Sequence, residues 1–309
     1  MTLTELASTY VTVRRAAGFK MEQAEYHLKG FVGFAVARGD IHLHTETAIA
    51  WAATARSPNA RCNRMQHLNI FARYIHLEDA RHEVPPSQVF AHKRHRRPPH
   101  IYTEGEVRAL VEAAGRLEPA GSCAPETYAT LFALLAVTGM RVREALRLCM
   151  GDLTSEGLVV RQTKFNKSRL LPLHATTRSA LDAYRDRWRA AAEPEEPLFI
   201  SRRRSAVKYS TFEKIFLRIA RSVGLRPAAG KVGDPLIWPR IHDLRHTFAV
   251  RNLESCPREH AAIGRHITAL TTYLGHSSVA STSWYLHASP TLMTDIADAC
   301  AEFDTGGVR

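Results

Sequence analysis

Within the stretch RIHDLRHTFAV, Arg240 to Val250, two histidines stand four residues apart, His242 and His246, with Arg245 between them. On a helix, residues three or four apart share a face, so two pairings are open. His242 with His246 has the spacing of a zinc-protease helix, His-Glu-x-x-His, whose Glu is the general base. Here the second position is Asp243, one methylene shorter, and Arg245 adjoins the second ligand position. A divalent ion about 5 Å from that guanidinium is repelled by roughly 6 kcal/mol at an effective dielectric of about 20. No third ligand has suitable spacing, so a metal site is not expected. His242 with Arg245 instead sets an imidazole beside a guanidinium, a pair suited to an anionic oxygen centre and to phosphate in particular. On this reading His246 faces elsewhere, as a packed histidine.

Three other stretches carry chemistry of the same kind. In TGMRVREAL, Arg141 opens a short helix just after Gly139, and Glu144 lies three residues on, where it can orient the guanidinium. A surface ion pair is the plain alternative. In RQTKFNKSRLLPL, Lys164 and Lys167 sit at a hairpin tip, with Arg169 on the outgoing strand. Such a tip is ordinarily just exposed. A lysine there can also reach into a groove, and among other cations its ammonium gives up a proton more readily. In YLGHSSVASTSWYLH, Gly275 allows a tight turn, His276 follows it, and Tyr285 lies further on. A tyrosine pKa of about 10 keeps the phenol protonated at neutral pH. Clustered cations lower that value and neutralise a phosphate under attack. A buried Trp284–Tyr285 pair is the alternative.

These residues need elements to place them. The chain has 309 residues, 45% hydrophobic and 23% charged, an ordinary globular composition with room for two domains. It has no uninterrupted apolar run of membrane-spanning length, and the N-terminus, with Glu5 and no apolar core, is no secretory signal. Five scattered cysteines with no CxxC pair argue against a disulfide framework or a thiolate zinc site, and a reducing cytoplasm is the expected compartment. Forty-two Lys and Arg against thirty Asp and Glu leave a net charge of +12, a balance suited to nucleic acid.

Apolar spacing predicts a wholly helical segment over residues 1–82, including the stripes Leu3, Leu6, Tyr10, Val13 and Leu28, Phe31, Val32, Ala35. A further helix starts at Ser57-Pro58 with the stripe Cys62, Met65, Leu68, Ala72, Ile75. Arg61, Arg64 and Arg73 lie off that stripe, either as a solvated face or as contacts to a DNA backbone, and Arg64 and Arg73 are the candidate contacts. Residues 83–100 hold two Pro-Pro pairs and the basic run from His92 to Arg97, and read as an extended linker. Lys93, Arg94, Arg96 and Arg97 are its candidate DNA contacts. The pattern then turns to mixed α and β. Thr103 with Glu106 forms a capping box, ETYATLFALLAVTG a buried helix ending at Gly139, and GLVVRQT with SRLLPL two strands around KFNK.

Taken in order, Arg141, Lys164, His242 with Arg245, His276 and Tyr285 resemble the catalytic set of the tyrosine recombinase (phage integrase) family. TGMRVREAL, TKFNKSRLLPL, HDLRHTFA and LGHSSVASTSWY resemble its motifs nearly letter for letter, over roughly Tyr102 to His287. The wording near the C-terminus is most similar to recombinases of bacterial mobile elements. Arg143 stands where the family more often has a small residue, and the segment from Asn252 to Leu270 differs from the usual connector.

The resemblance implies a mainly α fold with a small β-sheet in the catalytic domain. It divides the chain into a helical core-binding domain (1–82), the linker (83–100), a catalytic domain (101–289) and a C-terminal tail helix (290–309) that packs in cis or on a neighbouring protomer. It implies strand transfer without metal, ATP or other cofactor. Tyr285 would attack the scissile phosphate to give a 3′-phosphotyrosyl intermediate. Arg141, Arg245 and His276 would hold its oxygens, Lys164 would protonate the 5′-oxygen, and His242 would act as acid and base toward the tyrosine. Lys167 and Arg169 would add DNA contacts. The expected partners are double-stranded DNA with inverted-repeat core sites and further copies of the chain as a tetramer, with partner recombinases or DNA-bending proteins also in view. The competing readings are a type IB topoisomerase-like enzyme, a telomere resolvase, a DNA-binding accessory protein with an inactive site and, last, a metallohydrolase.

Overall fold

The computed structural model describes residues 1–86, 88–90, 98–161, 168–227, 238–255 and 260–275. Contacts divide the chain into two compact units, Met1–Arg96 and Arg97–Arg309.

The first unit holds four helices: α1 (Leu3–Ala16), α2 (Glu22–Ala37), α3 (Thr45–Ala53) and α4 (Pro58–His76). Thr2 and Glu5 close a capping box at the start of α1, and the Ser57 hydroxyl accepts from the Ala60 amide with Pro58 at the first helical position of α4. Phe31, Leu68, Phe71, Ala72 and Ile75 are fully buried, with Leu3, Leu6, Tyr10, Leu28, Trp51 and Met65 around them. The spacing therefore orders both elements and core. Val13 departs from the expected stripe: it is 49% exposed, because the buried face of α1 continues through Val11 instead.

The second unit is built around α6 (Cys123–Thr138), which is buried on most sides and packs against α5 (Glu104–Gly115), α8 (Ala175–Trp188) and α10 (Asp243–Glu254). The Thr103–Glu106 capping box forms at α5 as the sequence predicts. A short α7 (Val142–Ala145) follows α6. Then come three antiparallel strands in the order β1 (Leu153–Thr154), β2 (Gly157–Val160) and β3 (Arg169–Leu171). β2 and β3 pair with Leu158 opposite Leu171 and Val160 opposite Arg169. Strand β1, too short to show a period, was not anticipated; the KFNK turn lies outside the described residues. α9 (Tyr209–Ser222) buries Phe212 and Phe216 against Phe132 of α6, and α11 (His260–Leu274) closes the set. Mainly α with a small sheet is the fold the sequence implied.

Candidate active site

Helix α6 ends at Gly139, whose φ of 58° is the left-handed conformation that glycine adopts without a Cβ penalty. A side chain there would also drive its Cβ into the ring of Phe248. The chain thereby reverses within two residues and delivers Arg141 to the start of α7. Glu144, one turn on, accepts from the Arg141 backbone amide at 3.0 Å and from its Nη1 at 2.7 Å. The expected Arg–Glu pair is thus formed, with the Glu144 side chain only 9% exposed.

Helix α10 supplies the second arginine. Tyr102 donates its amide to Thr247 Oγ1 and its hydroxyl to the Arg240 carbonyl, and Arg251 returns a bond to the Tyr102 carbonyl. Asp243 is buried and reaches back to the Arg240 amide and guanidinium. The Asp that looked like a shortened protease glutamate therefore fastens the start of α10. Arg245, buried, donates from Nη1 to the Gly139 carbonyl at 2.9 Å and from Nη2 to the Leu274 carbonyl at 2.7 Å.

The remaining piece is the end of α11, where backbone carbonyls lack helical partners and carry the negative end of the helix dipole. Three successive carbonyls each meet one arginine. Arg169 Nε donates to Tyr273 at 2.8 Å, Arg245 Nη2 to Leu274 at 2.7 Å, and Arg141 Nη2 to Gly275 at 3.0 Å. Cations gathered by α6–α7, β3 and α10 thus meet at the residue directly before His276. Lys164, His276 and Tyr285 lie outside the described residues, as do Lys93, Arg94, Arg96, Arg97, Lys167 and the tail 290–309.

His242 stands at the start of α10, with a face open to solvent and its ring edge-on to His246 at 4.7 Å. The expectation that His246 turns away from His242 is corrected: four residues of helix bring the two rings into contact. Partial loss of hydration, and then the positive field of Arg245, Arg141 and Arg240, lower the His242 imidazole to about 4, with Asp243 opposing. The ring is therefore neutral at pH 7. Burial pushes the Glu144 carboxyl up, but its bonds to Arg169 and Arg141 outweigh that and hold it below its ordinary value.

Two arginines expected to touch DNA have other work in the structure. Arg169 faces inward, its side chain 11% exposed, and grips Glu144 as well as Tyr273. Strand alternation was the available signal: Arg169 shares a face with fully buried Leu171, while Leu170 between them is exposed. Arg64 donates to the Trp51 carbonyl and Thr54 Oγ1 and lies over the Trp51 ring at 4.6 Å, tying α4 to the end of α3. Arg73 is exposed.

Residues 100–291 match the model of the phage integrase family. The chain belongs to that family. A putative integrase/recombinase, y4rB, of Sinorhizobium fredii (strain NBRC 101917 / NGR234) is 35% identical over 304 residues, covering 95% of this chain and 95% of that protein. Among solved structures, a lambda integrase tetramer bound to a Holliday junction aligns with a TM-score of 0.66 at 20% identity, over 92% of this chain and 77% of the other. The Tn1549 transposon integrase in complex with transposon right end DNA gives 0.65 at 16% identity, over 96% and 98%. At these identities the structural likeness is one of fold. As a tyrosine-type site-specific recombinase, this phage integrase family member breaks and rejoins DNA strands. Among the described residues no helix is long and apolar enough to cross a membrane.

Proposed function

We propose that the arginine cluster at the end of α11 is the phosphate-binding half of the recombinase centre, and that Tyr285 is its nucleophile. The observation that carries this reading is the convergence of Arg141 and Arg245 on the carbonyls of Gly275 and Leu274, directly before His276, with His242 in the positive field of both arginines. The Tyr285 phenol oxygen attacks the scissile phosphorus while His242 takes its proton. The 5′-oxygen leaves with a proton from Lys164, and the strand remains joined to the protein as a 3′-phosphotyrosine. Arg141, Arg245 and His276 meet the charge that builds on the non-bridging oxygens. A donor so placed contributes about 3 to 4 kcal/mol to the transition state. Attack by a second 5′-hydroxyl on the phosphotyrosine reverses each bond change, so a strand can be exchanged without external energy.

Double-stranded DNA is the substrate, and core sites in inverted repeat, bound by several copies of the chain, fit integration or excision of a mobile element. Structural neighbours include integrases bound to DNA as dimers and as a tetramer, which supports this assembly. Tail residues 290–309, with an apolar face of Leu292, Ile296, Ala299 and Phe303, are the segment we assign to packing on a neighbouring copy. Partner recombinases or bending proteins would act at this level.

The test uses duplexes covering the DNA that flanks the gene, nicked near candidate inverted repeats so that cleavage is trapped. The unchanged chain is expected to give an SDS-resistant protein–DNA adduct in EDTA, and Tyr285→Phe none with binding intact. Specific binding without an adduct from either protein would favour an accessory DNA-binding role instead.

A further inference from the structure

Two groups hold the Arg141 guanidinium: the Glu144 carboxylate and the Gly275 carbonyl. Arg169 bonds the first directly and the backbone two residues before the second. Its Nη2 donates to Glu144 Oε2 at 2.7 Å and its Nη1 to Oε1 at 3.4 Å, so one carboxylate is clamped between two guanidinia. Its Nε bonds the Tyr273 carbonyl two residues before Gly275. Gly275 itself, at a φ of 67°, lies so close that a Cβ there would sit 2.7 Å from Arg169 Nη1. Every nitrogen of the Arg169 guanidinium is therefore engaged inside the protein, which leaves it poorly placed to bind phosphate directly.

We propose that Arg169 is a positioning residue for strand cleavage, fixing the Arg141 guanidinium against the scissile phosphate through Glu144 and the end of α11. This rests on the reading of Arg141 as a phosphate-binding residue. A carboxylate with a single guanidinium partner is free to turn about its terminal bond. A carboxylate with two is fixed in plane, and so is the Arg141 head bonded to it. Lysine cannot reproduce the arrangement, because one ammonium cannot reach both carboxylate oxygens and the Tyr273 carbonyl with the fixed angles of a guanidinium. A misplacement of about 1 Å at a reacting group costs on the order of a hundredfold in rate.

The experiment compares the full-length chain with Arg169→Lys, Arg169→Gln and Arg141→Ala on the nicked duplex whose cleavage site the adduct assay maps. Each protein is given that duplex with an ordinary phosphate, and again with a neutral methylphosphonate at the scissile position. Methylphosphonate lacks the anionic oxygen that Arg141 neutralises, so a defect acting through Arg141 shrinks on it. A defect from general loosening of the fold does not. Both Arg169 variants are expected to form adduct on the order of a hundredfold more slowly on phosphate, with DNA affinity and its salt dependence unchanged. Their deficit should then largely vanish on methylphosphonate, as for Arg141→Ala. Arg169→Lys keeps the buried charge opposite Glu144 and carries the test if Arg169→Gln unfolds.

Equal deficits on both substrates would overturn the proposal, as would a fall in affinity with chemistry intact, the mark of a direct DNA contact. If Arg141→Ala shows the phosphate-specific loss while both Arg169 variants cleave normally, this inference alone fails. If Arg141→Ala cleaves normally, or the unchanged chain gives no adduct, the underlying reading fails and takes this one with it.

Discussion

Arg141 donates from Nη2 to the carbonyl of Gly275 at 3.0 Å, joining the start of α7 to a residue 134 positions later. The same contact places that guanidinium beside the residue preceding His276, so the side chain we propose for phosphate also closes the helix end. A carbonyl at a helix C-terminus attracts cations for the reason a phosphate does, through partial negative charge with no nearby donor. With Arg245 on Leu274 and Arg169 on Tyr273, the terminus of α11 works as an internal gauge that sets arginine heads at fixed spacing before any DNA arrives.

Glu144→Gln keeps the shape of the side chain and removes the charge between Arg141 and Arg169. Breaking a buried ion pair of this kind costs roughly 3 kcal/mol. The folded carboxyl value lies below its ordinary 4.5, so the stabilisation is complete above that value and is lost as pH falls through the folded one. Denaturant titrations at a series of pH values should show the variant less stable at pH 7, with the gap closing below about pH 4.5. A gap that holds constant into acid would remove the ion pair from the explanation.

Arg245→Lys leaves one ammonium to serve the Gly139 and Leu274 carbonyls that the guanidinium now joins. A buried carbonyl without a donor costs about 1–3 kcal/mol, and loss of a transition-state donor costs about a hundred- to thousandfold in rate. Thermal melts and single-turnover adduct formation should register both, with binding little changed. A variant that binds poorly yet cleaves normally once saturated would make Arg245 a ground-state contact.

Much of this was legible in the sequence, and the exceptions share a cause. Helix starts at Thr103 and Ser57 were readable because capping is local, and Gly139 was readable as a helix end for the same reason. The pairing of Arg141 with Glu144 follows from a spacing of three. Nothing local announces that Phe248 packs over Gly139, or that Arg169 lies 104 positions from its carbonyl partner Tyr273. Those contacts depend on how α10 and α11 fold back. Arg64 is similar: its place off the apolar stripe of α4 gave no sign that it packs over the indole of Trp51 on α3.

That difference between Arg64 and Arg73 is measurable. Arg73→Ala removes an exposed charge from the last turn of α4 and, if it meets a DNA phosphate, lowers the slope of log affinity against log salt by about 0.9. Arg64→Ala should leave that slope alone and instead destabilise the protein by roughly 1–2 kcal/mol, through lost hydrogen bonds and stacking. Binding isotherms at several salt concentrations, paired with melts, separate the two. A smaller slope for Arg64→Ala with an unchanged melting temperature would return it to the DNA-contacting set.

His242 gives the pH dependence. Reduced hydration first, and then Arg245, Arg141 and Arg240, bring its imidazole from 6.5 to about 4. The folded value is below the unfolded one, so the unfolded chain takes up the proton first as pH falls. Stability contributed by the neutral ring is complete above about pH 6.5 and declines from there toward pH 4. His242→Asn cannot titrate and should lose less stability between pH 7 and 5. In catalysis, the acid limb of the second-order rate of adduct formation reports the free protein and should fall well below pH 6.5. Bound phosphate sets negative charge against the ring and favours its protonated form. The limb of the saturated, first-order rate should therefore lie at higher pH than that of the second-order rate. Coincident limbs near pH 6.5, together with equal stability slopes for the two proteins, would mean that the surrounding arginines do not set the protonation state of His242.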